Sequence, residues 1–175
     1  MSTLKVSTIS PLGTDSTNTI TIGSAGDTAA GVFTNTPSFS AEQSGSQSIA
    51  NDTNVKLQCD TENWDSNSAY DNSTNYRFTV PANQAGKYYL QAHVQIPGID
   101  DTELGQIMFY KNGSVIAQSY VRNHAAGTND IFQMITAHTA SLAVGDYIEV
   151  YVYQNSGDAQ NATNGSFTGH RLIGV

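Results

Sequence analysis

Acidic side chains are the first candidates for chemistry in this sequence. The stretch "GIDD" is followed by Glu103, so that three carboxylates fall within the four residues 100–103. Exposed carboxylates on a loop can bind Ca²⁺, but a solvated acidic loop accounts for the same residues without a ligand. We therefore predict no metal site here.

The four histidines and the single cysteine do not form a recognisable site either. His93 falls in a strongly alternating segment, whereas His124, His138 and His170 are scattered and none has a metal-ligand spacing to another His or Cys. Cys59, in "VKLQCD", is expected to be a small buried strand residue rather than a reactive thiol. There is no Gly-Xaa-Ser-Xaa-Gly motif, phosphate-binding loop or dinucleotide fingerprint. We predict no catalytic residue, no metal and no cofactor, and hence a protein that is not an enzyme.

Composition limits the partners of this 175-residue chain. It has 15 acidic and 7 basic residues and a net charge of -8, without a basic run that could neutralise phosphates. We expect neither nucleic acid nor membrane as a partner, because no apolar stretch approaches the roughly 20 residues of a spanning helix. "MSTLKVSTIS" has no apolar signal-peptide core, so synthesis in the cytoplasm is expected.

Alternating apolar and polar residues predict a series of short β-strands. The clearest segment is "GKYYLQAHVQI", and "NYRFTVP" ends in a proline that stops a strand. The dipeptide Asn112-Gly113 supplies the positive φ that a tight type I′ hairpin needs. No helical periodicity persists over a window of about 11 residues. Many short strands between turns predict an all-β protein with a jelly-roll β-sandwich.

Residues 1–35 differ from the rest, and we expect them to form an extended N-terminal arm that precedes a jelly-roll domain of residues 36–175. This segment has almost no aromatic residues and two short alternating stretches, "TLKVSTI" and "NTITIG". Its apolar residues in those stretches are Leu4, Val6, Ile9, Ile20 and Ile22. They are too few to form a core. We expect the arm to be an anchor that packs on another protein; a disordered tail is the alternative.

Five motifs follow one another in an order that is typical of a known family. They are "SFSAEQ", "YRFTVPANQAGKYYLQAHV", "YKNGS", "LAVGDYIEVYVYQ" and "SFTGHRLIGV". Together, over residues 37–175, they resemble the globular head of complement component one, subcomponent q, and the wider tumour-necrosis-factor-like jelly rolls. The resemblance implies a compact homotrimer. It does not imply one function, because one fold hosts many.

The carboxylates of "ENWDSNSAYD" raise the possibility of a glycosidase pair. In the family resemblance, however, Trp64 and Tyr70 of this stretch match packing positions. A structural role therefore explains the stretch better than catalysis.

The strand "DYIEVYVYQ" has an aliphatic face, Ile148, Val150 and Val152, and a tyrosine-rich face opposite to it. The resemblance implies that one sheet of each subunit turns such a face toward a threefold axis, where tyrosine rings pack and their hydroxyls find partners. The residues predicted to line this trimer interface are Tyr147, Tyr151 and Tyr153, together with Tyr89, Gln91 and His93 of "GKYYLQAHVQI", which is expected to be the neighbouring strand. The alternative is that the tyrosines form cross-strand pairs within one sheet.

The beginning of the chain, "MSTLKVSTI…NTITIGSAGDT", is similar to the first residues of many virion structural proteins of tailed bacteriophages. This similarity implies a trimeric capsid decoration (cement) protein on the virion surface, whose arm attaches to the major capsid protein or to other virion proteins. The alternative is the head of a tail fibre that binds host-surface glycans. A fibre needs a long shaft, and only about 35 residues precede the head, so decoration is favoured.

Overall fold

The computed structural model describes residues 37–172, which belong to the second of two units into which the chain divides after Thr34. The predicted arm and its boundary at residue 35 lie outside the described residues. Within residues 37–172, no helix is long and apolar enough to cross a membrane. The strands are β1 (Ser38–Glu42), β2 (Gln47–Ile49), β3 (Val55–Lys56), β4 (Thr61–Asp65), β5 (Tyr70–Asp71), β6 (Arg77–Thr79), β7 (Gly86–Ile99), β8 (Leu104–Lys111), β9 (Ser114–Val115), β10 (Val121–His124), β11 (Asp130–Leu142), β12 (Tyr147–Gln154) and β13 (Gln160–Arg171).

The strands form two antiparallel sheets. Sheet I has the order β11-β7-β13-β1-β4, with β2 paired to β13. Sheet II has the order β10-β8-β12-β6-β5, with β3 paired to β12 and β9 paired to β8. The first and last strands of the domain are neighbours, since Ser38 of β1 is opposite His170 of β13. The predicted jelly-roll β-sandwich is confirmed.

The core lies between the sheets and follows the period-two pattern of the sequence. The alternate residues of β7 from Tyr88 to Ile96, and Ile148, Val150 and Val152 of β12, are each at most 1 % exposed. Full burial of such a side chain contributes about 1.5–3 kcal/mol. The alternation therefore identified the inward face of both strands correctly.

Aromatic rings join the two sheets at one end of the core. Phe39 of β1 stacks on Phe78 of β6, with ring centroids 4.8 Å apart, and meets Phe167 of β13 edge-on at 4.8 Å. Tyr70 of β5 stacks on the same Phe39 ring at 5.2 Å. Stacked and edge-on pairs add to the burial of the rings themselves. This cluster holds the first strand of the domain against both sheets.

The turn after β8 has the predicted geometry, but the strand after it is short. Asn112 and Gly113 have φ angles of 51° and 78°, as a type I′ hairpin requires. β9 has two residues and gives way to a 3₁₀ helix, Ala117–Ser119. Ser119 accepts a hydrogen bond from the Phe109 amide of sheet II, and its carbonyl accepts one from Thr136 of sheet I. The 3₁₀ helix is therefore hydrogen-bonded to both sheets through Ser119, and β9 ends just before this helix.

Candidate functional site

The six residues predicted to line one interface lie on two different faces of the sandwich. β7 pairs with β11 and β13 in sheet I, whereas β12 pairs with β8, β6 and β3 in sheet II. The expectation that the two strands are neighbours is wrong, because alternation defines the faces of a strand but not its partners. Residues on the outer face of sheet I are Tyr89, Gln91 and His93. Residues on the outer face of sheet II are Tyr147, Tyr151 and Tyr153.

Cross-strand registers align the outer face of sheet I into rows. The central row runs through Ala137, Gln91, Thr168, Ser40 and Trp64. The rows on either side run through Thr139, Tyr89, His170 and Ser38, and through Ile135, His93, Ser166, Glu42 and Thr61. Within these three rows, Glu42 is the one side chain that is charged at neutral pH. Short polar and aromatic groups dominate this face, which we call the row face.

Exposed apolar side chains lie at both edges of the row face. Ile135 on β11 is 57 % exposed and Trp64 on β4 is 55 % exposed. The expectation that Trp64 packs inside the domain is wrong, because β4 is an edge strand with an exposed face; Tyr70, by contrast, is buried. A signal for Ile135 was present in "DIFQMITAHTASL", since Ile131 and Ile135 fall on the face opposite Phe132, Met134 and Leu142.

A bulge in β13 positions His93 on the row face. The register between β7 and β13 shifts between Thr163 and Ser166, and Asn164 within this bulge has a φ angle of 52°. Nδ1 of His93 lies 2.9 Å from the Asn164 carbonyl oxygen. Because a carbonyl only accepts, Nδ1 donates, and Nε2 remains the basic nitrogen of the ring.

His170 is packed beside the same strand. Its ring centroid lies 5.6 Å from that of Tyr89, and the Tyr89 hydroxyl donates to Oε1 of Gln91 at 3.2 Å. His170 and His93 are both half-buried. Tyrosine, glutamine and the two imidazoles form a continuous polar strip along β7 and β13.

The tyrosines on the outer face of sheet II already have partners within the same chain. The Tyr151 ring lies 4.1 Å from the ring of Tyr110 on β8, and burial raises the pKa of Tyr151, with a smaller contribution from the Glu149 charge. The Arg77 guanidinium lies 4.2 Å over the Tyr147 ring. The Tyr153 hydroxyl donates to Oδ1 of Asp52 at 2.7 Å. Tyr147 and Tyr151 thus have cross-strand partners, whereas the partner of Tyr153 lies in the turn between β2 and β3.

An ion pair covers part of the same outer face of sheet II. Nζ of Lys56 lies 2.5 Å from Oε1 of Glu149, and it also donates to the Asn75 carbonyl at 3.1 Å. Glu149 is 5 % exposed. Met108 of β8 is opposite Tyr151, and therefore on the same face as Glu149, and it is fully buried. The outer face of sheet II is covered by its own long side chains.

The remaining candidates for chemistry have structural roles. Glu103 accepts the amide of Asp100, and Asp100 accepts the amide of Asn129, so these carboxylates hold the loop between β7 and β8. Among the residues that the structure describes, no three His, Cys, Asp or Glu side chains form a metal-binding group. Cys59 is buried as predicted, although between β3 and β4 rather than in a strand, and burial raises the pKa of its thiol to about 12.

Comparison with known proteins supports the fold. No protein-family model matches this chain, and no curated protein matches it. The chain is similar to the globular domain of a zebrafish complement 1qA protein, with a TM-score of 0.53 and 15 % identity, over 78 % of this chain and 98 % of that one. It is also similar to the Eiger TNF from S. frugiperda, with a TM-score of 0.52 and 12 % identity, over 79 % of this chain and 92 % of that one. At these identities the likeness shows a shared fold alone.

Proposed function

We propose that this protein is a non-catalytic structural or binding module that assembles as a homotrimer through the row face. The observation that carries the proposal is the difference between the two outer faces. The outer face of sheet II is covered by its own stacked rings and by the Lys56–Glu149 pair. The row face leaves Ile135 and Trp64 more than half exposed.

The chemistry of the row face suits contact with other copies of this chain. Its central rows lack lysine, arginine and aspartate, and charged side chains are the ones that protein interfaces most often exclude from their centres. Tyr89, Gln91 and Thr168 can form hydrogen bonds across a contact without ionisation. An exposed apolar and aromatic surface of this kind is typical of an interaction site. The family resemblance supports three copies rather than two.

Paired substitutions on the two sheets test this assignment. Ile135→Asp places a carboxylate on the row face, and because Ile135 is 57 % exposed in the single chain, the fold should tolerate it. Val115→Asp, at a 41 % exposed residue of β9 in sheet II, is the matched control. In light scattering at micromolar concentration, we expect wild type and Val115→Asp to be trimers and Ile135→Asp to be a monomer. A monomeric wild type, or a trimeric Ile135→Asp variant, contradicts the proposal.

We further propose that the trimer is a decoration protein of a tailed-bacteriophage capsid, with the arm as its anchor. The similarity of "MSTLKVSTI…NTITIGSAGDT" to virion proteins supports this assignment. The alternating stretches around Leu4, Val6, Ile20 and Ile22 also support it, because extended segments of this kind bind by adding a strand to a partner sheet. The jelly roll then projects from the capsid surface.

Deletion of residues 1–35 tests the anchor. The core of the jelly roll begins at Phe39, so we expect the shortened chain to remain a folded trimer that no longer attaches to particles lacking the protein. Full occupancy by the shortened chain places the anchor in the jelly roll instead.

The copy number per virion distinguishes the two proposed locations. A copy number comparable to that of the major capsid protein indicates decoration, and a far smaller one indicates a glycan-binding tail component.

A further inference from the structure

Two of the four histidines of this chain lie on the row face, where a proposed subunit contact would cover them. His93 is opposite Ser166, and His170 is opposite Tyr89. His124 lies on β10 in sheet II, and His138 on β11 is opposite Leu90, on the core side of sheet I. The chain therefore offers two histidines inside the candidate contact and two outside it.

Few groups near these imidazoles could neutralise an added proton. On β11 the neighbouring row-face residues are Gln133, Ile135 and Ala137, and none of them ionises. The charged or titratable groups that share the row face with the two histidines are Lys87 and Tyr89 on β7 and Glu42 on β1. Glu42 is two strands from His93, across Ser166. Arg171 pairs with Tyr88 on the other side of the sheet and donates to Gln84.

We propose that protonation of His93 and His170 dissociates the trimer in mildly acidic solution; this rests on the proposed function of the row face. A neutral imidazole can be buried with one hydrogen bond, as His93 shows with the Asn164 carbonyl. A charged imidazole buried without a partner is strongly disfavoured. Separated copies therefore bind more protons than the trimer, and a falling pH favours the separated copies.

The overall charge of the protein works in the opposite direction. The sequence pI is about 4.6, so acidification reduces the net negative charge and with it the repulsion between copies. Net charge alone thus predicts a tighter trimer at low pH. Dissociation on acidification identifies a local effect of the buried histidines.

Analytical ultracentrifugation of the full chain distinguishes these outcomes. Between about pH 8 and about pH 5.5, where an exposed imidazole gains its proton, we expect the association constant of wild type to fall at least about tenfold. The double variant His93→Gln/His170→Gln should remain trimeric at both pH values. The matched control, His124→Gln/His138→Gln, should dissociate as wild type does.

Each other result has a defined meaning. A wild type that is monomeric at pH 8 overturns the trimer itself. A wild type that is trimeric at both pH values overturns only the role of the histidines, as does a double variant that dissociates like wild type. If the double variant does not assemble, calorimetry of wild-type dissociation in buffers of different ionisation enthalpy gives the proton uptake. An uptake of about one to two protons per copy supports the proposal, and an uptake near zero overturns it.

Discussion

At the scale of single residues, the tyrosines of β12 show how much a side chain depends on strands that are distant in sequence. Tyr151 packs on Tyr110, and Tyr147 packs under Arg77. Neither partner is adjacent in the chain, so the alternation of "DYIEVYVYQ" could predict that these rings point away from the core but not what they meet. Their role is to cover sheet II.

Substitution of Tyr151 should therefore destabilise the domain rather than the assembly. Tyr151→Asp removes the stacked ring and adds a carboxylate near Glu149, and we expect a loss of about 2–4 kcal/mol in the free energy of unfolding. Tyr120→Asp, at a tyrosine that is 41 % exposed, should reduce the free energy of unfolding by less. Urea unfolding at one fixed protein concentration measures both. A Tyr151→Asp variant that keeps wild-type stability but becomes monomeric contradicts this assignment.

At the scale of elements, the sequence predicted the long strands well and the short ones poorly. β7, β11 and β12 alternate over eight or more residues, so the inward face of each could be identified, whereas the bulge between Thr163 and Ser166 interrupts the alternation of β13. β4 is exposed along nearly its whole length, and an exposed strand has no apolar period to detect. The residues of the row face could likewise be predicted only in part. Tyr89, Gln91 and His93 were assigned to an outer face correctly, whereas Trp64 and Thr168 were missed, because sheet neighbours are set by non-local pairing.

The turns that end β8 and precede β12 are joined by one carboxylate. Asp146 accepts hydrogen bonds from the Ala143 amide and the Asn112 side chain, each at 2.7 Å, and forms an ion pair with Lys111 at 2.7 Å. These contacts, first of all the one from Lys111, lower the pKa of Asp146 to about 2. The carboxylate therefore stabilises the fold in its charged form.

Removal of this carboxylate should weaken the domain in a pH-dependent way. We expect Asp146→Ala to lower the free energy of unfolding by about 1–3 kcal/mol at neutral pH. Because the pKa is lowered in the folded state, the difference from wild type should be complete above the ordinary value of 3.8 and disappear as the pH falls through about 2. Asp158→Ala is the control, since the Asp158 side chain forms no hydrogen bond within residues 37–172. A difference that does not depend on pH contradicts an electrostatic role.

At the scale of the whole molecule, the net charge and the interface have separate effects. Each copy carries a charge of -8, so assembly brings like charges together, while the centre of the row face has no fixed charge. Salt should therefore act on the trimer through screening of the overall charge alone.

We expect the association constant at about pH 8 to rise when the salt concentration is raised from about 0.01 M to about 0.15 M. Sedimentation equilibrium measures the constant, and a neutral osmolyte at equal osmolality is the control. A trimer that weakens with salt indicates attraction between charges of neighbouring copies, with Lys87 and Glu42 as the groups to test by substitution.

The pairing of β1 with β13 gives the synthesis of this protein a fixed order of events. A ribosome releases Phe39 more than a hundred residues before Gly169, its partner in the sheet. During that interval β1 can pair with β4 on one side, but it has neither β13 on the other side nor the Phe167 ring against which Phe39 packs. The nascent jelly roll can form local hairpins such as β5–β6 and β8–β9, but it cannot complete sheet I until β13 has left the exit tunnel. A messenger RNA truncated within the codons for β13 therefore yields a chain with an open sheet and an exposed aromatic cluster, which is a substrate for chaperones and proteases rather than a shorter version of the protein.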